Sequence, residues 1–154
     1  MVELIFRQAG RADLGEIVRL LADDHLGQGR ERYVEPLPEG YAAAFQAITQ
    51  DPNNELIVVE QDGAILGTMQ LTFIPSLSFQ GSRRMQIESV RVDAPYRGQG
   101  IGQKMMAWAI ERARERGCRF VQLTTHKDRP DAHRFYDRLG FVASHKGMKL
   151  DLKG

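Results

Sequence analysis

Three alternate glycines in the middle of the chain form a pattern that can bind an anion. They fall in the run Arg97-Gly98-Gln99-Gly100-Ile101-Gly102. Glycines let the backbone turn sharply and expose its N–H groups, and the helix predicted to begin at Gly100 adds its positive N-terminal dipole. Arg97 and Lys104 can add positive charge beside a phosphate. The segment therefore predicts an anion-binding turn suited to a pyrophosphate.

Two common nucleotide-binding turns fit this segment less well. A Walker loop needs Gly-Lys followed by Ser or Thr, whereas the chain has Gly102-Gln103-Lys104. A dinucleotide fingerprint needs a third glycine where Gln103 stands, and it usually belongs to an N-terminal βαβ unit. A plain helix start with glycines for tight packing is the other alternative, but three alternate glycines beside an arginine exceed what capping needs.

The strand predicted directly before this turn, 85–92, has an interrupted alternation. Apolar residues stand at positions 85 and 87 and then at 90 and 92, so the phase slips by one at Glu88-Ser89. A β-bulge there would restore the facing and leave backbone groups to be paired by an extended ligand. A strand buried on both faces explains the same pattern, and the residues alone leave the two interpretations open.

The surrounding elements predict an α/β fold, a mixed sheet with helices on its faces, in a single domain over residues 1–154. Their predicted order is β-α-α-β-β-β-α-β-α-β-β. The first strand is expected to begin at Val2, and Asp62-Gly63 predicts a hairpin turn. The last two strands are expected at 141–143 and 148–152, where apolar residues alternate.

Composition narrows the classes of protein. The 154 residues are 42% apolar and 27% charged, which is typical of a globular domain rather than a disordered chain. A net charge of +1 and the absence of an unopposed basic run argue against nucleic acid as a partner. The sequence shows neither a signal peptide nor about 20 consecutive apolar residues, so we expect a cytoplasmic protein that does not cross a membrane.

The sequence resembles the GNAT superfamily of N-acetyltransferases. The core signature of that family, Arg/Gln-x-x-Gly-x-Gly/Ala after a bulged strand, stands here at residues 97–102. A second signature, Ala-x-x-Phe-Tyr-x-x-x-Gly-Phe, stands at residues 132–141. The order of elements also matches, so the resemblance covers nearly the whole chain and implies the family's acyl-CoA N-acyltransferase fold.

The resemblance implies acetyl-CoA as the acetyl donor. No spacing of His, Cys, Asp or Glu residues in the sequence suggests a metal site. Backbone groups of Val90 and Val92 would bind the pantetheine arm, and the glycine turn would bind the pyrophosphate. Many family members have an Asn that contacts the coenzyme where this chain has Arg129, so we do not count Arg129 among the coenzyme-binding residues. The residues implied in coenzyme binding are Val90, Val92, Arg97, Gly98, Gln99, Gly100, Ile101, Gly102 and Gln103.

Acetyl transfer to an amine calls for a proton acceptor and a proton donor, because the attacking amine must be neutral and the thiolate that departs must be protonated. A phenol, with a pKa of about 10, can donate a proton to a departing thiolate whose thiol has a pKa of about 8.5, because the two values are close. By the motif match, Tyr136 is the candidate acid, although a core tyrosine gives the same pattern. Glu88, a carboxylate at the proposed bulge whose partial burial would suit the role, is the candidate base, although it could equally face solvent. A water molecule or a histidine is the alternative base.

The acceptor amine stays open, as a small molecule or as a peptide amine. We expect its pocket to come from residues 26–41, residues 75–84 and the last two strands. Cys118 is more typical of a small core residue than of a nucleophile, which favours direct transfer. The rival function is a non-catalytic acyl-CoA-binding or sensing domain. A homodimer through the sheet edge is a further expectation.

Overall fold

The computed structural model describes residues 3–24 and 26–153, which form two compact units. The first unit extends to Gln122 and the second begins at Leu123. The prediction of one domain over residues 1–154 stays a prediction. The strands are β1 (Ile5–Gln8), β2 (Asn54–Gln61), β3 (Ala64–Ile74), β4 (Arg83–Val92) and β5 (Cys118–Leu123).

Five helices are interspersed among these strands in the described part of the chain, which confirms a mixed α/β fold. Short 3₁₀ turns at Arg11–Asp13 and Ala94–Tyr96 precede two of them. The helices are α1 (Leu14–Ala22), α2 (Glu39–Gln50), the single turn α3 (Ser78–Gly81), α4 (Ile101–Glu115) and α5 (Pro130–Arg138). None of the helices in the described part of the chain combines the length and apolar character needed to cross a bilayer.

The strands form one mixed sheet in the order β1-β2-β3-β4-β5. The pairs β1–β2, β2–β3 and β3–β4 are antiparallel. The turn between β2 and β3 has positive φ at both central residues, 52° at Asp62 and 80° at Gly63. The predicted Asp-Gly hairpin is therefore confirmed, because this turn matches the twist of the flanking strands.

Close packing of α4 on β3 depends on Gly67. A Cβ atom at this position would lie 2.9 Å from Met105 Sδ and 3.0 Å from the carbonyl oxygen of Arg91. Because Gly67 has no side chain, the fully buried Met105 can lie against β3 at this position. The contact fixes α4, and with it the glycine turn at its N-terminus, against the middle of the sheet.

The two strands predicted at 141–143 and 148–152 are wrong, because the described residues after Arg138 contain no strand. Val142, Met148, Leu150 and Leu152 are between 82% and 91% exposed. Alternating apolar residues favour a strand only where a neighbouring strand supplies backbone hydrogen bonds and a covered face. At the other end of the chain, the observed strand starts at Ile5, and Val2 lies outside the described residues.

Candidate functional site

The predicted bulge is present in β4. Thr68 of β3 lies opposite Arg91 and Gln70 lies opposite Glu88, so Ser89 and Val90 together face the single residue between Thr68 and Gln70. Ser89 has a φ of 56°, in the left-handed region. The extra residue therefore lies at Ser89–Val90, one position beyond the predicted start of the phase slip, and it bends the strand that leads to the glycine turn.

The glycine turn has the backbone that its sequence predicts at two of its three glycines. Gly98 has a φ of 78°, and Gly100, the N-cap of α4, has a φ of 82°. These conformations strain residues that carry a Cβ. Gly102 lies inside the first turn of α4, so its helical conformation does not require glycine.

The N-terminus of α4 has four backbone donors without acceptors. In the described residues, no hydrogen bond from the N–H groups of Gly100, Ile101, Gly102 or Gln103 reaches a backbone or side-chain acceptor, and the first bond of the helix runs from the Lys104 N–H to the Gly100 carbonyl at 3.1 Å. A helix start leaves such donors directed outward, where they and the helix dipole favour an anion. A diphosphate fits this donor set.

Two ion pairs fix the entry to the turn. Arg19 of α1 donates to both carboxylate oxygens of Asp93, at 3.1 and 3.0 Å, and the pKa of Asp93 is lowered because these hydrogen bonds favour its charged form. Arg97 donates from Nε to the Val92 carbonyl at 2.9 Å, and its Nη2 lies 3.9 Å from the Asp23 carboxylate. Arg97 thus stabilises the turn itself, while its half-exposed guanidinium still borders the site.

The residues of β4 named from sequence lie on both sides of the bulge. Glu88 is exposed, which agrees with the solvent-facing alternative and not with partial burial. It alternates with the buried Met85 and Ile87, so its side chain belongs to the opposite face of β4. Val90 and Val92 are half-buried. Their carbonyl oxygens accept hydrogen bonds from the Arg91 and Arg97 guanidinium groups, at 3.0 and 2.9 Å. These carbonyls are therefore already engaged, and a ligand amide would have to share them.

Tyr136 belongs to the second unit, on α5. It is half-buried and packs edge-to-face against Phe135, with ring centroids 5.1 Å apart, and against Phe141, at 5.8 Å. Arg129 is the N-cap of α5, and its carbonyl accepts from the Ala132 N–H at 3.1 Å. The second signature motif therefore forms a small aromatic cluster around the predicted acid.

An apolar cavity of about 180 Å³ reaches the bulge from the helix side of the sheet. Its walls come from α1, α2, β3, Leu56 of β2 and Ser89 of β4. Of the segments expected to form the acceptor pocket, 26–41 contributes Tyr41 and 75–84 contributes no lining residue. Sequence analysis missed this cavity because apolar residues at helical spacing predict a core face and a pocket wall equally well.

Two observations concern the metal-binding and thiol groups of the chain. Within 3–24 and 26–153, no group of three or more His, Cys, Asp or Glu side chains is placed to hold a metal ion. Cys118 is half-buried, and burial raises the pKa of its thiol, so the fraction present as the nucleophilic thiolate is reduced.

The chain resembles known proteins in sequence and in structure. A model of the acetyltransferase (GNAT) family matches residues 16–141. An aminoalkylphosphonate N-acetyltransferase of Salmonella typhimurium is 35% identical over 107 residues, which cover 70% of this chain and 69% of that protein. A glucosamine 6-phosphate N-acetyltransferase of Trypanosoma brucei brucei is 37% identical over 91 residues, covering 58% and 59%. A crystal structure described as a transcriptional regulator from Bacillus halodurans C-125 is 53% identical, with a TM-score of 0.95 over 97% of this chain and 100% of that chain.

Proposed function

The chain belongs to the acetyltransferase (GNAT) family and is an acetyltransferase, and we propose that it transfers acetyl from acetyl-CoA directly to a primary amine. The observation that carries the proposal is the set of four N–H groups at the start of α4 that have no acceptor among the described residues, in the segment that follows a bulged strand. Such donors fit the diphosphate of coenzyme A, which supplies the acetyl thioester when bound.

The proposed coenzyme site follows the chain from β4 into α4. The backbone from Gly98 to Gln103 would hold the diphosphate, with Arg97 at its border. Val90 and Val92 would present backbone groups to the pantetheine arm. Because their carbonyls already accept from two arginines, we expect the Arg91 and Arg97 guanidinium groups to shift or to share these oxygens when the arm binds.

In the proposed reaction, the amine nitrogen attacks the thioester carbonyl, a C–N bond forms and the C–S bond breaks. Glu88, directly or through water, would accept the proton that the amine loses. Tyr136 would donate a proton to the sulfur that leaves. The exposure of Glu88 supports a role through water, because solvent reaches its carboxylate. The raised pKa of the Cys118 thiol supports direct attack over an acetyl-cysteine step.

Two measurements test the function. Acetyl-CoA should raise the thermal midpoint of the protein, whereas NAD and ATP should not, since a ligand that binds the native state stabilises it by mass action. A panel of amines, with mass detection of the acetylated product, should then show turnover. Coenzyme binding without product from any amine would favour the non-catalytic acyl-CoA-binding alternative.

Conservative variants test the two proton-transfer roles. Tyr136→Phe should lower kcat by about 100-fold or more, which is typical of a lost general acid. Glu88→Gln should lower kcat/KM and change its pH profile. Unchanged turnover by Tyr136→Phe, or full activity of Glu88→Gln across the pH range, would remove that residue from the mechanism.

The proposed partners are small-molecule amines and a second copy of the chain. Named relatives are N-acetyltransferases of an aminoalkylphosphonate and of glucosamine 6-phosphate, which supports a small amine.

The strand order ends at β5, and four apolar side chains of the C-terminal segment are largely exposed, which supports a homodimer. Light scattering on the purified chain should give twice its mass of 17.4 kDa. The cytoplasmic location stays a prediction.

A further inference from the structure

The apolar cavity beside the bulge is specific enough to indicate a class of acceptor. It lies between α1, α2 and the sheet, and its volume is about 180 Å³. An apolar cavity of about 150 Å³ can hold a benzene molecule. The residues that define its course from the helices to the bulge are Ile17, Leu21, Tyr41, Ile48, Gln70 and Ser89.

The lining offers little to a charged ligand. None of the described residues that line the cavity carries a charge. Three of its polar side chains are already bonded within the protein: the Thr68 hydroxyl donates to a β2 carbonyl at 2.9 Å, the Gln70 amide donates to Asn54 at 3.1 Å, and the Tyr41 hydroxyl donates to Glu31 at 3.0 Å. A phosphate or phosphonate placed here would lose its hydration without gaining a cation.

A second, polar cavity of about 400 Å³ does not offer a free cation either. It is lined in part by Arg7 and Arg19. Arg7 is held by the carboxylates of Asp13 and Glu60, and Arg19 by those of Glu16 and Asp93. Each guanidinium thus has two acidic partners, so neither cavity offers the unopposed positive charge that favours a phosphate or phosphonate group.

We propose that the apolar cavity receives the body of the acceptor, a primary amine on a short aryl-alkyl or branched-alkyl group. This inference rests on the proposed acetyl transfer. The amine end lies toward Ser89, where the cavity meets the bulge and where Glu88 is the adjacent residue. The nitrogen loses a proton and forms the amide bond as the thioester C–S bond breaks, and the coenzyme leaves as the thiol. The chain thereby discriminates against amines that carry a phosphonate or a phosphate, such as those in the names of two relatives.

The test compares matched amines on the full chain with saturating acetyl-CoA. The apolar pair is 2-phenylethylamine and 3-methylbutylamine, and the anionic pair is 2-aminoethylphosphonate and glucosamine 6-phosphate. We expect kcat/KM to be at least about tenfold higher for the apolar pair, because burial of a few carbon atoms discriminates by that factor. Thiol release and product mass are measured together.

Two exposed alanines of α2 provide a matched pair of variants. Ala44 borders the cavity, whereas Ala47 does not contribute to it, and both are exposed, so neither change should disturb folding. Ala44→Arg should raise KM for 2-phenylethylamine at least about tenfold, because it narrows the opening and repels the ammonium group. Ala47→Arg adds the same charge on the same helix and should leave KM unchanged.

The outcomes separate the two proposals. Turnover of the anionic amines that equals or exceeds that of the apolar pair, or an equal response to both alanine variants, would overturn the acceptor class while acetyl transfer stands. Absence of product from every amine would overturn both, and the thermal shift with acetyl-CoA would then show whether coenzyme binding had also failed. Preference for the apolar pair that Ala44→Arg alone weakens supports the inference.

Discussion

The polar groups at the two ends of α4 differ in whether they have partners within the protein. At the N-terminus, four backbone N–H groups have no acceptor in the described residues. At the C-terminal end, Arg112 and Arg116 converge on Glu55 of β2, a carboxylate that is only 5% exposed. Arg112 Nε donates to Glu55 at 2.9 Å and Arg116 Nη1 at 3.3 Å. Arg116 also lies 4.0 Å above the ring of Phe73.

The contrast between the two ends shows how a stable helix can hold a binding site. Unpaired donors at a helix start contribute nothing to folding until a ligand accepts their hydrogen bonds. The opposite end can tether the helix because a buried carboxylate with two guanidinium partners is costly to separate. We therefore expect substitutions at the C-terminal end to change stability and substitutions at the N-terminal end to change coenzyme affinity.

Glu55→Ala should give the largest change. It leaves Arg112 and Arg116 without their shared carboxylate, and we expect a loss of about 3 kcal/mol in the free energy of unfolding, reduced from the fully buried case because both arginines are partly exposed. The thermal midpoint should fall by about 6–12 °C. Glu115→Ala removes the other, exposed carboxylate of Arg112 and should cost less than about 0.5 kcal/mol. Equal effects of the two changes would show that Glu55 is not the tether.

Gln103→Pro, at the N-terminal end of α4, should change coenzyme affinity and not stability. Proline removes one of the four free N–H groups but breaks no helical hydrogen bond, because it stands in the first turn. A hydrogen bond to a charged phosphate is worth about 1.5–3 kcal/mol, so the dissociation constant for acetyl-CoA should rise about 10- to 100-fold. Gln103→Ala keeps the N–H group and serves as the control in calorimetric titration. If both variants bind acetyl-CoA equally, this N–H group does not contact the coenzyme.

Asp93→Asn tests the segment just before the N-terminal end. The pKa of Asp93 is lowered by hydrogen bonds from Arg19, so its contribution to stability is present above the unfolded pKa of about 3.9 and is lost as pH falls through the lower folded pKa. Asp93→Asn should cost about 1 kcal/mol near neutral pH and almost nothing below both pKa values. Urea midpoints measured across this pH range provide the check. A cost that does not depend on pH would indicate lost packing instead of lost charge.

Local sequence was sufficient to predict the glycine turn at the N-terminal end of α4 and the bulge in the strand before it. The phase slip at Glu88-Ser89 predicts a bulge because alternation is a local property, and Gly98 and Gly100 predict a turn because only glycine adopts those φ values without strain. Sequence also predicted the Asp62-Gly63 hairpin for the same reason. Each of these features depends on neighbours within a few residues.

The remaining features depend on contacts between distant segments. Glu55 and Arg112 are 57 residues apart, and neither interrupts the pattern of its own element, so their pairing left no signal. The apolar alternation of Met148 and Leu150 predicted a strand, but a strand also needs a neighbour, which no sequence window contains. Solvent exposure of Glu88, which alternates with the buried Ile87, depends likewise on which face of β4 other segments cover.

The smallest expected effect concerns Cys118, two residues beyond Arg116. Burial raises the pKa of the Cys118 thiol, while the charges of Arg83 and Arg116 partly oppose this shift. Iodoacetamide should therefore modify the folded protein more slowly than the urea-unfolded chain near neutral pH. Arg116→Gln removes one of the opposing charges and should slow the reaction by a further factor of about two, whereas Arg114→Gln, on the exposed side of α4, should not. A faster reaction in Arg116→Gln would mean that Arg116 acts mainly by covering the thiol, so that the C-terminal end of α4 protects Cys118 through packing and not through charge.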